Sequence, residues 1–266
     1  MSGNSPQPQR DVVRVGELEL QIVRGGQGNP LLVLHEELGY PGWLNWMDDL
    51  SRERTLIVPL HPGFGQTPRL DWMGSMRDLA AFYVRFLEEQ GLVPIDVLGF
   101  SLGGWLAAEM AVSYPRLFRR SVLVAPLGIR PPEGEIFEMF GVFPKVILEA
   151  SVRDPAATPE FDSLFTEQER PAQFEAWEDA RTQLALLAWQ PYLHSTSLPH
   201  LLQGVDGGNT LLIWGSDDRI VPASAAGIYQ KSLRGSRVEI LSQCGHRPEI
   251  EQREAFVTTV RDFLDG

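Results

Sequence analysis

The sequence holds a single cysteine, no long apolar run and little positive charge. Cys244 stands alone, so no intrachain disulfide can form. That usage fits a reducing compartment, and a cytoplasmic location is expected. No stretch approaches 18 apolar residues, so no membrane-spanning helix is expected. The leading MSGNSPQPQR lacks the apolar centre of a secretory signal, and these ten polar residues are expected to fray. Lys and Arg number 23 against 35 Asp and Glu, a net charge of −12. Nucleic acid and anionic membrane would both repel such a chain, so neither is an expected partner. Repeats are absent, and past the first ten residues so are low-complexity tracts.

What remains reads as an ordinary globular protein. The 266 residues are 43% hydrophobic and 22% charged. A chain of this length buries roughly 70–75% of its unfolded surface, enough to hold together without metal or disulfide. It allows one large α/β domain, or one domain with an insertion.

Strand and helix signals alternate along most of the chain. Glu17–Arg24 alternates apolar with polar and predicts a half-exposed strand. Leu31–His35, Thr55–Leu60, Ile95–Phe100, Ser121–Ala125 and Thr210–Trp214 are short apolar runs, as expected for parallel strands covered on both faces. Val238–Leu241 is also strand-like. Between them, Ser75–Gln90 places Met76, Leu79, Phe82, Tyr83, Phe86 and Leu87 on one helical face. Ser75 with Asp78 resembles a capping box, and Gly91 is a natural stop. Leu102–Ser113 and Glu251–Leu264 are helical by pattern. The alternation predicts a mostly parallel central sheet flanked by helices, an α/β fold whose ligands bind beyond the carboxyl ends of the strands. It fails between about Pro126 and Gly208, where prolines interrupt helical patches such as Gln173–Trp189 and no strand pattern appears. That stretch is expected to be a helical insertion, because so long a structureless connection is rare in a compact domain.

The chemistry begins at Gly99-Phe100-Ser101-Leu102-Gly103-Gly104, which follows an apolar run and precedes a helical pattern. This is a G-x-S-x-G elbow in its required strand–turn–helix setting. The glycines let strand and helix pack closely, while the turn lifts the serine hydroxyl above the sheet edge. The following helix offers a free backbone N–H, that of Leu102. Serine is a poor nucleophile without a base, and the base needs an orienting carboxylate. Of the five histidines, His35 and His61 precede the elbow, and His194 and His200 lie in or near the insertion. His246, in Cys244-Gly245-His246-Arg247-Pro248, sits in a loop after a strand-like run, where a catalytic base belongs. The carboxylate is Asp217 or Asp218 in Trp214-Gly215-Ser216-Asp217-Asp218-Arg219, again at a strand end; charge alone does not separate the two.

Together, LLVLH, the His61-Pro62-Gly63-Phe64-Gly65 turn, GFSLGGW, WGSDDRIVP and CGHRPEIEQREAF resemble the α/β-hydrolase family in its serine esterase, lactonase and C–C hydrolase branch. The resemblance spans nearly the whole chain. It implies a core of residues 11–128 and 205–266 with a helical cap over 129–204. It also implies Asp218 as the acid, three residues after Gly215, completing a Ser101–His246–Asp218 triad. The second oxyanion-hole N–H maps to Glu37. Here the chain departs from the family: where His-Gly is usual, it reads His35-Glu36-Glu37-Leu38-Gly39. Two carboxylates are awkward beside developing negative charge. Either they belong to a solvent-facing loop, or one faces the substrate and recognises a cationic or hydroxyl-rich group. His35, Glu36, Phe100 and Trp189 are accordingly candidate substrate-binding residues. His61, where the family often has aspartate, is expected to shape its loop without a catalytic role.

The expected function is hydrolysis of a carboxylic ester or lactone of a medium-to-large organic substrate through an acyl-enzyme. No metal and no organic cofactor are implied, and the partner is a small-molecule substrate acted on by a monomer or homodimer. The same triad also serves C–C bond and amide hydrolysis, and some relatives of the fold are non-catalytic receptors. The insertion carries Phe137, Phe140, Phe143, Phe161, Phe165, Phe174, Trp177, Trp189 and Tyr192, most of them expected to pack its core.

Overall fold

The computed structural model describes residues 8–164 and 170–266. Eight strands form one sheet: β1 (Gln9–Val15), β2 (Leu18–Gly26), β3 (Asn29–Leu34), β4 (Arg54–Pro59), β5 (Ile95–Phe100), β6 (Phe118–Val124), β7 (Thr210–Gly215) and β8 (Arg237–Leu241). Their spatial order is β1-β2-β4-β3-β5-β6-β7-β8. β2 pairs antiparallel with β1 and β4, and the six strands from β4 to β8 are parallel. Every strand expected from the sequence is present. β1 was not expected, because it begins inside the stretch expected to fray; residues 1–7 lie outside the described residues. Six of its seven residues are partly or fully exposed, so it shows no apolar pattern, and backbone pairing to β2 is what holds it.

The described helices are α1 (Asn45–Ser51), α2 (Met76–Glu89), α3 (Leu102–Ser113), α4 (Pro144–Ala150), α5 (Arg170–Ala188), α6 (Leu198–Leu201), α7 (Ala225–Ser232), α8 (Pro248–Glu251) and α9 (Arg253–Asp265). α2 starts as its sequence requires. Ser75 Oγ accepts from the Asp78 N–H at 3.2 Å and donates to Asp78 Oδ2 at 2.8 Å, and Gly91 takes φ +63° just past the end. Successive residues of β5 point to opposite faces. Gly99 faces α3, since a Cβ there would lie 2.5 Å from the Gly103 carbonyl oxygen. Phe100 packs on Trp46 of α1 and Phe256 of α9, at 5.2 and 6.0 Å between rings. The sheet is thus covered on both sides, and its strand ends converge on one rim.

Between β6 and β7 the described residues contain helices and 3-10 turns but no strand beyond a single bridge, Gly128 to His194. The aromatics there pack on each other: Phe140 meets Trp189 at 4.9 Å and Tyr192 at 5.7 Å, and Phe174 meets Trp177 at 5.8 Å. Phe165 lies outside the described residues. This segment rests on the strand-end loops. Ser151 accepts the backbone N–H of His246 at 2.8 Å, and a Cβ on Gly63 would strike the buried Gln183 of α5 at 2.5 Å. Among the described residues no helix is long and apolar enough to cross a membrane.

Candidate active site

Ser101 sits between β5 and α3 with φ 46° and ψ −107°, a conformation costly for a residue with a Cβ. The glycines around it are steric requirements. A Cβ on Gly103 would lie 2.2 Å from the Leu34 carbonyl oxygen, and one on Gly104 would lie 2.8 Å from Pro126. Ser101 Oγ is buried and makes no hydrogen bond to a described residue. Such contacts are often open in a resting site and tighten as substrate binds.

The acid and histidine loops are pressed together. At Gly215 a Cβ would meet the carbonyl oxygens of Gly245 at 2.0 Å and Cys244 at 2.3 Å, which explains the glycine that opens the acid turn. The Asp217 N–H donates to the Cys244 carbonyl at 2.8 Å. Asp218 Oδ2 lies 2.8 Å from His246 Nδ1, and Asp218 Oδ1 accepts the N–H groups of Ile220 (2.8 Å) and Val221 (2.9 Å). Both oxygens are held, so the carboxylate cannot swing. Asp217 instead faces outward and pairs with Arg153 at 3.4 Å. Of the two aspartates that charge alone could not separate, Asp218 is the one that meets His246. Burial pulls the His246 pKa down, but Asp218, with Glu37 and Glu36 behind it, outweighs burial and lifts it to about 9.

The loop after β3 is built on a histidine pair. The His61 N–H donates to His35 Nε2 at 3.0 Å, so that nitrogen is unprotonated, and His35 Nδ1–H donates to the Glu36 carbonyl at 2.8 Å. His61 Nε2–H donates to the His35 carbonyl at 3.2 Å, leaving Nδ1 to accept from the Tyr83 hydroxyl at 2.6 Å. The rings stack with centroids 3.8 Å apart. Burial lowers both pKa values, that of His35 to about 4, and keeps the pair neutral. His35 is therefore taken up by the scaffold, and His61 does shape its loop. The turn Glu36–Gly39 follows, closed by the Gly39 N–H on the Glu36 carbonyl at 3.1 Å, with Gly39 at φ +95°. Neither the Glu37 N–H nor the Leu102 N–H has an acceptor among the described residues.

The expectation of a solvent-facing loop does not hold: Glu36 is 6% exposed and Glu37 2%. Buried carboxylates need a cation or donors, and sequence reasoning missed the cation. It is Arg247, next to the histidine. Arg247 pairs with Glu36, donates to Ser151 Oγ at 2.8 Å and lies 3.7 Å from Glu249. Burial raises the pKa of Glu36, while Arg247 opposes it; burial raises that of Glu249 to about 8. Glu36 is thus occupied by the protein itself. Phe100 faces the α1–α9 layer, and Trp189, 57% exposed, packs on Phe140. Of the candidate substrate-binding residues, His35, Glu36 and Phe100 line one cavity with Tyr40, Trp46 and Arg247, and the polar groups of His35 and Glu36 are hydrogen-bonded within the protein. The available signal was chemical: two glutamates in an apolar loop call for a cation, and Arg247 stands next to the candidate base in the loop after β8.

A family model described as "Alpha/beta hydrolase family" matches residues 31–259. The chain belongs to the alpha/beta hydrolase family. It is 27% identical to a 2-hydroxy-6-oxo-2,4-heptadienoate hydrolase of Pseudomonas putida, over 95% of each chain. It is 25% identical to a pyrrolizixenacetamide deacetylase of Xenorhabdus hominickii, over 95% of this chain and 97% of that one. In structure it resembles a membrane phospholipase A described as a bacterial virulence factor, with a TM-score of 0.79 and 22% identity over 97% of this chain and 86% of that one; at that identity the likeness concerns the fold. Ser101, Asp218 and His246 follow β5, β7 and β8, at the carboxyl ends of parallel strands.

Proposed function

We propose that this hydrolase is a serine enzyme cleaving a carboxylic ester or lactone of a medium-to-large organic molecule. The observation that carries the reading is the strained Ser101 elbow beside a His246–Asp218 pair at 2.8 Å. Ser101 Oγ attacks the carbonyl carbon as His246 Nε2 takes its proton; Asp218 holds Nδ1–H and so fixes the tautomer. The N–H groups of Leu102 and Glu37 receive the oxyanion, each such donor being worth about 3–4 kcal/mol. His246 passes the proton to the leaving alkoxide, which departs and leaves an acyl-enzyme. Water, deprotonated by His246, then releases the acid. Residues 129–204 act as a cap that shapes the pocket above Ser101.

A second reading is amide or C–C hydrolysis by the same residues. The relatives favour it: one is named for an acetamide, and the other for a dienoate that contains no ester to cleave. Against the dienoate stands charge. Glu37 is left unpaired near His246, and a substrate carboxylate brought next to it would be repelled. The test is a panel of esters, lactones, amides and vinylogous ketones run against wild type and Ser101→Ala. Ester or lactone turnover should be fastest and vanish in the variant. Turnover of amides or ketones alone would move the assignment to the second reading. A fluorophosphonate that fails to label Ser101 would leave a non-catalytic receptor on this fold.

A further inference from the structure

Glu37 is a buried carboxyl that no described residue answers. It is 2% exposed, its Oε2 is sealed from solvent, and no described residue donates to it or pairs with it. Its neighbour Glu36, equally buried, has Arg247. That arginine is already shared among Glu36, Ser151 and Glu249, so it is not held in reserve for Glu37. A buried carboxylate left unpaired is costly, and a fold that supplies a cation one residue away could have supplied two. Glu37 also lies toward the chemistry. Its charge acts on His246, on Arg247 and on Tyr192 of the segment between β6 and β7. Ser101 Oγ and Glu249 Oε2 are also without a hydrogen-bond partner among the described residues. Among the described residues nothing answers Ser101 Oγ or Glu37 Oε2; a substrate would bring an electrophilic centre to the first and a hydrogen-bond donor to the second.

Resting on the serine-hydrolase reading, we propose that the Glu37 carboxyl is a specificity determinant that pairs with a cationic group, an ammonium or protonated amine, carried by the substrate near its scissile bond. A carboxylate only accepts hydrogen bonds, so a charged nitrogen donor is its strongest complement. One backbone position thereby does two things: its N–H faces the developing oxyanion and its side chain faces the cation.

The experiment reads the rate constant for labelling of Ser101 by three matched fluorophosphonates whose alkyl chains end in ammonium, methyl or carboxylate. Wild type is expected to react at least tenfold faster with the ammonium probe than with the methyl probe, and slowest with the carboxylate. In Glu37→Gln the ammonium-to-methyl ratio should fall at least tenfold, whatever happens to the rates in common. Glu37→Lys should turn the order toward the carboxylate probe. Labelling without charge preference in wild type, or a ratio unmoved by Glu37→Gln, overturns the proposal while leaving the serine hydrolase standing. Absence of labelling by all three probes overturns the hydrolase reading and this one with it.

Discussion

The two flanks of Ser101 solve the same problem in opposite ways. On the His246 flank every charge has a partner: Asp218 spends one oxygen on His246 and the other on two backbone N–H groups. On the β3 flank three glutamates, Glu36, Glu37 and Glu249, gather around one arginine, and Glu37 is left over. The first flank is an orienting device with no freedom. The second leaves a buried carboxyl unpaired, and the proposed substrate preference rests on it.

The sharpest way to break that contrast is to exchange its best-satisfied residue for its exposed neighbour. Asp218→Asn should lower kcat/KM by about 10³–10⁴, because the amide favours the wrong tautomer of His246. Asp217→Asn should change it less than about threefold, since that side chain pairs only with Arg153 at the surface. Steady-state kinetics on both variants would decide. Equal effects would remove Asp218 from its orienting role.

The same contrast explains what was legible in the sequence. The elbow, the acid turn and the histidine loop were readable because each is local. A strand pattern, a glycine that sterics demands and one reactive side chain fall within a few residues. Even the α2 cap was spelled out by Ser75 and Asp78. The β3 flank was not readable, because its meaning lies in a pairing across 211 residues, Glu36 to Arg247. Read locally, Glu36-Glu37 looks solvated. Only the fold shows that both are buried, that Arg247 answers Glu36 and that no described residue answers Glu37. β1 escaped for the converse reason: an edge strand held by backbone bonds leaves little trace in side-chain periodicity.

Removing the arginine should have the next largest effect. Arg247→Met leaves buried carboxyls without their counter-charge and should cost about 3–5 kcal/mol of stability at neutral pH. Denaturant melts would measure it. The loss should shrink as pH falls and the carboxyls take up protons. Adding Glu36→Gln to Arg247→Met should restore part of it. Full additivity of the two changes would show that the pair is not coupled.

A smaller effect links the flanks through His246. Asp218, Glu37 and Glu36 raise its pKa to about 9 against burial, and only its deprotonated form serves as base. The pH profile of kcat/KM should therefore climb with a slope near one and level off only above about 9. At pH 7 it should stand at roughly one hundredth of the plateau. Glu37→Gln should move that limb to lower pH. A wild-type limb at 6–7 would mean that the β3 flank exerts no field on the base.

The mildest test concerns Glu249, whose carboxyl burial raises from an ordinary 4.5 to about 8. Between these values the folded protein binds a proton that the unfolded chain has released. The favourable contribution of protonated Glu249 is thus complete below pH 4.5 and is lost as pH rises through 8. Glu249→Gln fixes the neutral state. It should leave the melting temperature nearly unchanged near pH 4.5 and raise it at pH 8.5. The sign is the informative part. If the variant melts lower at pH 8.5, then Arg247 needs Glu249 as well as Glu36, and the β3 flank is a balanced ionic network instead of one carrying excess negative charge.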